Sequence, residues 1–304
     1  MATCGDIRIG ISGWRYEPWR GVFYPEKLAQ RLELQYASSK FNSIELNGSF
    51  YSLQRPKNFQ QWYSETPDDF IFSVKAPRFI THIRRLKDSE GPVANFLASG
   101  LLRLGEKLGP ILWQFPPSMK FEADLFEHFF RLLPHSHAEA AAIGKEHDKW
   151  LDGRAWIEIE NDRPLRHAVE IRNKSFACEE YIALLRKYQV GLVVADTPEW
   201  PRLMDVTADF VYCRLHGSEK LYASGYSEEA LGDWAQRVLR WARGKEAEDG
   251  DRASDTNAPH IETRDVFVYF DNDLKVKSPE NALQLRERID QLNGRKERHD
   301  ENRQ

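Results

Sequence analysis

The sequence predicts an α/β protein built as one (β/α)8 TIM-type barrel with two surface insertions. Three observations predict it. Short β-branched and aromatic runs recur along the chain, helix-length amphipathic stretches separate them, and turn-forming residues close most of the runs. The 304 residues suit a single barrel, placed at residues 7–290. An open doubly wound sheet is the rival. It is weakened because no run is followed by a G-x-G-x-x-G turn or a P-loop.

The runs number eight and come in order. Ile7 to Ile11 closes on Ser12-Gly13-Trp14, and Ser43 to Leu46 closes on Asn47-Gly48-Ser49. Phe70 to Lys75 is third, and Pro110 to Phe115 is fourth, stopped by Pro116-Pro117. His167 to Ile171, Gly191 to Ala195, Phe210 to Leu215 and Val266 to Phe270 complete the set. Between them, Asn95 to Leu108 spaces Phe96, Leu97, Leu101, Leu104 and Leu108 as a helix does. Glu179 to Tyr188 puts Tyr181, Leu184, Leu185 and Tyr188 on one face, and Ser227 starts a capped helix running to Arg243. Residues 135–163 and 244–264 are the insertions, the second charged and small enough to predict a mobile surface loop. Residues 291–304 form a charged tail, expected to fray from about Arg295.

Composition narrows the function classes. Apolar residues make up 41% and aromatic residues 12%, enough for a large core. The formal charge of −4 gives no overall basic footprint for nucleic acid. Cys4, Cys178 and Cys213 are far apart, which argues against a disulfide framework or a cysteine zinc site and fits a reducing, cytoplasmic setting. No secretory pattern opens the sequence, and no stretch approaches the length of an apolar membrane span.

Several short motifs go further. They include Ile9-Gly10-Ile11-Ser12-Gly13-Trp14, Asn42-Ser43-Ile44-Glu45-Leu46-Asn47 and Phe72-Ser73-Val74-Lys75-Ala76-Pro77. Thr81-His82, Gln114-Phe115-Pro116-Pro117, Glu170-Ile171-Arg172, Arg214-Leu215-His216-Gly217 and Phe270-Asp271-Asn272 continue the series. In this order the sequence resembles the YecE-like family, known as domain of unknown function 72. The likeness spans roughly residues 7–290. It implies a TIM-type barrel and no particular reaction.

In such a barrel the C-terminal strand ends face a common pocket. Those ends carry Trp14, Glu45, Asn47, Lys75, Gln114, Glu170, Arg172, Asp196, Arg214, His216, Asp271 and Asp273. Residues two apart share a strand face, so Glu45 with Asn47, Glu170 with Arg172 and Arg214 with His216 point alike. A structural role is open to them, with Lys75–Glu170 or Arg214–Asp196 as rim ion pairs. The preferred reading is an enzyme for a small anionic or phosphate-bearing substrate. Lys75, Arg172 and Arg214 supply positive charge. Glu45, Glu170 and His216 carry general acid/base chemistry, and Trp14, Asn47, Gln114, Asp196 and Asp271 bind substrate. No cofactor is expected in this reading.

A divalent metal held by Glu170, Asp196, His216 and Asp271 is one alternative, giving a phosphoesterase, nuclease-like or isomerase-like barrel. A second alternative is a noncatalytic binder of a nucleotide, phosphosugar or nucleic-acid phosphate. A third is glycoside chemistry by Glu45 and Glu170, with Trp14, Tyr16, Trp19, Phe50 and Tyr51 as stacking surfaces. The loop with Arg78, Arg84 and Arg85 around Thr81-His82 is open to two readings, further positive charge for an anion site or a solvated surface.

Overall fold

The computed structural model of the chain describes residues 4–217, 225–272 and 276–301, with side chains as far as Gly294. Eight strands close a parallel barrel in sequence order. They are β1 (Ile7–Ser12), β2 (Ser43–Leu46), β3 (Ile71–Lys75), β4 (Leu108–Gln114), β5 (His167–Glu170), β6 (Gly191–Asp196), β7 (Phe210–Leu215) and β8 (Asp265–Phe270). β1 pairs with both β2 and β8, so neither is an edge. Each apolar run of the sequence became one of these strands, displaced by two residues or fewer at its ends.

Alternation divides the strand residues between two environments. Ile9, Ile44, Val74, Trp113, Val194, Cys213 and Val268 point outward into the layer shared with the helices. Leu112, Ala168, Val193, Phe210, Tyr212, Phe267 and Tyr269 form a separate cluster that fills the barrel. Above that plug lies a layer of hydroxyls. The Ser43 and Tyr269 oxygens are 2.6 Å apart, and those of Ser73 and Tyr212 are 2.7 Å apart. Two residues further along each strand the same inward face reaches the C-terminal mouth. There it presents Glu45, Lys75, Gln114, Glu170, Arg214 and Asp271.

Outside the barrel, two predicted helices form as read. Glu179–Lys187 is one; the other is Glu228–Ala242, whose cap Ser227 accepts a hydrogen bond from the Ala230 amide. The helix predicted over Asn95 to Leu108 is instead broken in two. An α-helix ends at Ala98, and a 3₁₀ segment covers Leu101–Lys107. The break is Gly100, held at φ +108°, where an added Cβ would fall 2.5 Å from the Pro56 Cα. The leucine periodicity runs on across the break because both halves still bury one side.

The two segments read as insertions differ in kind. Within 135–163 a short helix, His137–Gly144, starts at Ser136, and the Trp156 amide donates to the Ala98 carbonyl, which fastens the segment to the preceding helix. Residues 244–264 contain no helix or strand, as expected, but the loop is anchored and not loose. The Asp205 carboxylate accepts from the amides of Ala253 and Ser254, and buried Arg264 donates to the Gly244 carbonyl. The last helix, Lys277–Glu301, continues through most of the expected charged tail. Among the described residues, no helix is long and apolar enough to cross a membrane.

Replacing Gly100 by Ala sets an L side chain at positive φ against the Pro56 backbone. The expected cost is about 3 kcal/mol of stability, combining left-handed strain with overpacking. Urea unfolding with an unchanged m-value and a lowered midpoint checks it.

Candidate active site at the barrel mouth

Arg214 stands at the centre of the mouth. It follows Tyr212 on the inward face of β7 and is fully buried. Its Nε and Nη2 meet the two Glu45 oxygens at 3.0 and 2.9 Å, a side-on bidentate pair. Its Nη1 donates to Glu170 Oε2 at 2.6 Å, and Nη2 also donates to Asp271 Oδ2 at 2.8 Å. Glu45 takes two more hydrogen bonds, from the Ser12 hydroxyl at 2.9 Å and the Tyr212 hydroxyl at 2.7 Å. Glu170 accepts from Gln114 Nε2 at 2.9 Å and Arg172 Nε at 2.7 Å. His216, two residues beyond Arg214, is also fully buried, with Nδ1 lying 3.2 Å from Asp271 Oδ2.

These contacts set the protonation of the group. Burial by itself would raise the Glu170 carboxyl, but Arg214, Arg172 and His216 hold it well below the usual range. Asp271 is likewise held down to about 2 against the effect of burial, by Arg214, His216 and Lys75. Burial would also favour loss of the Arg214 proton, but Glu45, Glu170 and Asp271 keep the guanidinium charged. Glu170 and Asp271 are therefore fixed anions at neutral pH and have no proton to donate.

Lys75 is different. It ends β3 with 8% of its surface exposed. Its Nζ lies 4.3 Å from the centroid of the Phe50 ring and makes no hydrogen bond or ion pair among the described residues. Burial, reinforced by Arg214, lowers this ammonium to about 8, with the three carboxylates opposing the shift. The β2–β3 register ends with Leu46 opposite Val74, and Asn47 follows with helical φ/ψ as the cap of the short helix Gly48–Tyr51, so strand alternation does not carry past Leu46. Asn47 Oδ1 is buried without a hydrogen-bond partner.

The wall around this opening comes from loops. Trp200 stacks on Arg172, its ring 3.7 Å from the guanidinium carbon, and meets His216 edge-on. His82 touches the same Phe50 ring as Lys75, and its Nδ1 is 2.9 Å from the Thr81 hydroxyl. Burial, then Lys75, Arg172 and Arg78, push the His82 imidazole down to about 4, so it is neutral at pH 7.

The structure thus brings together Glu45, Lys75, Gln114, Glu170, Arg172, Arg214, His216 and Asp271, whereas Asn47 follows the end of β2 with helical φ/ψ and its Oδ1 makes no hydrogen bond to any of them. Two expected members are elsewhere. Asp196 follows Ala195 on the outward face of β6, where Arg202 Nη1 donates to it at 2.8 Å. Trp14 lies past Gly13, whose φ of +81° ends the strand alternation, and it packs edge-on against Trp62. Asp273 is outside the described residues. The ion pairs expected between Lys75 and Glu170 and between Arg214 and Asp196 do not form. Arg214 is no substrate cation either, because the protein's own carboxylates occupy it.

Two alternative chemistries also meet obstacles. Among the described residues, no three His, Cys, Asp or Glu side chains are grouped to hold a metal ion. Of the four proposed ligands, Asp196 is turned away, and Glu170 and Asp271 share a guanidinium that would repel a divalent ion. Glycoside chemistry needs open space between Glu45 and Glu170, and Arg214 fills it. Of the proposed stacking residues, Tyr16 packs on Trp19 and donates its hydroxyl proton to the Ser12 carbonyl, and Phe50 underlies Lys75.

Sequence reasoning passed over Ser12 and Tyr212 as site residues, although each shares its inward strand face with a polar partner. Trp200 offered no signal in the sequence beyond being aromatic.

The sequence profile described as "Protein of unknown function DUF72" matches residues 8–304. The chain belongs to the DUF72 family. This DUF72 chain is 27% identical to UPF0759 protein YunF of Bacillus subtilis (strain 168) over 300 residues, covering 93% of this chain and 95% of that protein. It is 29% identical over 131 residues to UPF0759 protein YecE of Escherichia coli (strain K12), covering 42% of this chain and 44% of that protein. A solved DUF72 family protein from Thermotoga maritima MSB8 superposes with a TM-score of 0.70 at 27% identity, over 94% of this chain and 99% of that one. Another, from Enterococcus faecalis V583, gives 0.63 at 18% identity over 93% and 95%, a likeness of fold.

Two measurements probe the DUF72 mouth. Arg214→Met should cost about 4 kcal/mol, since it leaves three buried carboxylates without their shared cation. Denaturant unfolding checks it, and a loss under about 1 kcal/mol would contradict the network. For Lys75 the folded value near 8 lies below the ordinary 10.5 of the free side chain. The unfolded chain therefore binds more protons between these values, and stability rises as pH climbs through that window. Below it the buried ammonium costs roughly 3 kcal/mol. The stability advantage of Lys75→Met over the parent should be largest below pH 8 and close as pH approaches 10.5.

Proposed function

We propose that this DUF72 protein is an enzyme that binds a small anionic substrate, carrying a phosphate or carboxylate, in the mouth of the barrel. The observation that carries this reading is the contrast between the two halves of the site. The inner carboxylates are fully engaged by Arg214, whereas the buried Lys75 ammonium in the same mouth has no hydrogen-bond or ion-pair partner among the described residues. A buried cation without a carboxylate partner favours an anionic guest.

Arg172, oriented by Glu170 and by the Trp200 ring, adds a second cation at the same opening. A small guest fits better than a polymer, because Lys75 and Arg172 are both recessed. Proton transfer falls to Lys75, whose amine gives up and regains a proton near neutral pH. Glu45, Glu170 and His216 then act from behind, holding Arg214 and Arg172 in place.

Calorimetric titration with inorganic phosphate, glycerol 3-phosphate and a short dicarboxylate tests the reading. At least one should bind in a chloride-matched buffer, and Arg172→Met should weaken that binding by about tenfold, or 1.4 kcal/mol. Equal affinity in both proteins, or none for any anion, would remove the proposal.

A further inference from the structure

We propose that Lys75 Nζ is a nucleophile that forms an imine with an aldehyde or ketone, the carbonyl compound also bearing the anionic group assigned above; this rests on the anion site. The argument starts from where the amine is left. Three carboxylates share the mouth with Lys75, yet each is turned to Arg214, and the amine rests on an aromatic face. An amine that is desolvated, next to a second cation and unpaired has its lone pair accessible. With a value near 8, roughly a tenth of it is neutral at pH 7. The charged groups facing it are Arg214, Glu45, Glu170 and Asp271, and their opposing effects leave that value intermediate. The amine stands at the end of a central strand, which holds it rigidly.

The step balances without a redox partner. The amine lone pair attacks the carbonyl carbon, and the C=O π pair moves to oxygen. One amine proton passes to that oxygen and gives a carbinolamine. The hydroxyl then leaves with the second amine proton as one water, and C=N forms. The imine nitrogen takes a proton from water to become the iminium. Neutral His82, on the same Phe50 ring, can relay a proton.

Reductive trapping tests it. The full chain is incubated separately with pyruvate, glyceraldehyde 3-phosphate and propionaldehyde, reduced with borohydride, and mapped by mass spectrometry. The expected result is one adduct per chain, on Lys75, from an anionic carbonyl, while exposed lysines stay unlabelled. Lys75→Arg and Lys75→Met, each checked for fold by circular dichroism, should lose it. No adduct at Lys75 from any of the three, or labelling spread evenly over the lysines, overturns the imine. If phosphate binds and Arg172→Met weakens it while no adduct forms, the imine fails and the anion site stands. If propionaldehyde labels Lys75 as fast as the charged carbonyls, the imine stands and the anion site fails.

Discussion

The Arg214 guanidinium, out of contact with water and shared by Glu45, Glu170 and Asp271, is the interaction on which the mouth depends. Desolvating any one of these ions alone would cost several kcal/mol. The group is tolerable because nearly every donor and acceptor in it is matched. Ser12 and Tyr212 complete Glu45, Gln114 and Arg172 complete Glu170, and His216 lies against Asp271. The charges nearly balance as well. Three carboxylates face the guanidinium groups of Arg214 and Arg172, which leaves one negative charge, and a protonated Lys75 cancels it. That balance explains why the Lys75 amine stops near 8 when burial alone would carry it lower.

The layers beneath make this arrangement physically possible. Phe210, Phe267, Leu112 and Val193 plug the lower barrel, so water has no route to the charges from below. The hydroxyls of Ser43, Ser73, Tyr212 and Tyr269 then grade the interior from apolar to charged. Tyr212 joins the two zones, its ring packed in the plug and its hydroxyl donating to Glu45. In so dry a setting each ion pair is stronger than in water, and each unmatched polar atom is costlier. A Lys75 amine with no ion-pair partner among the described residues therefore carries more meaning here than it would on a surface.

Much of this was legible in the sequence, and the misses have definite causes. Each strand announced itself by β-branched and aromatic residues ending in turn formers. Period-two alternation then placed Glu170 with Arg172 and Arg214 with His216 on shared faces, as observed, but β2 stops before Asn47, whose helical φ/ψ ends the alternation that was to pair it with Glu45. The same rule, counted from Val193 and Ala195, would have turned Asp196 outward to Arg202. Trp14 was lost to Gly13, whose positive φ resets the alternation and leaves no mark beyond the glycine itself. Charge pairing was the hardest part. Strand order makes Asp196 a neighbour of Arg214, but barrel closure lets Arg214 reach Glu45 on β2, and distances across a barrel have no signature in a linear pattern. Trp200 and His82 arrive on loops, and their positions depend on tertiary packing alone.

The division of labour between Arg214 and Lys75 bears on what sort of site this is. A receptor that only holds an anion does best with a cation that stays charged at every working pH, and arginine fills that role. Here the permanent cation is committed to the protein's own carboxylates, and the group left facing the opening sheds its proton near neutrality. Such a group pairs with an anion while it is protonated and can also exchange a proton or an electron pair, which arginine cannot. Glu170 and Asp271, by contrast, are held ionised, and His216 is buried against Asp271 and the Trp200 ring. In the function proposed above, the acids that drew attention in the sequence are the frame of the site, and the reactive position falls to Lys75, which makes no ion pair with them among the described residues.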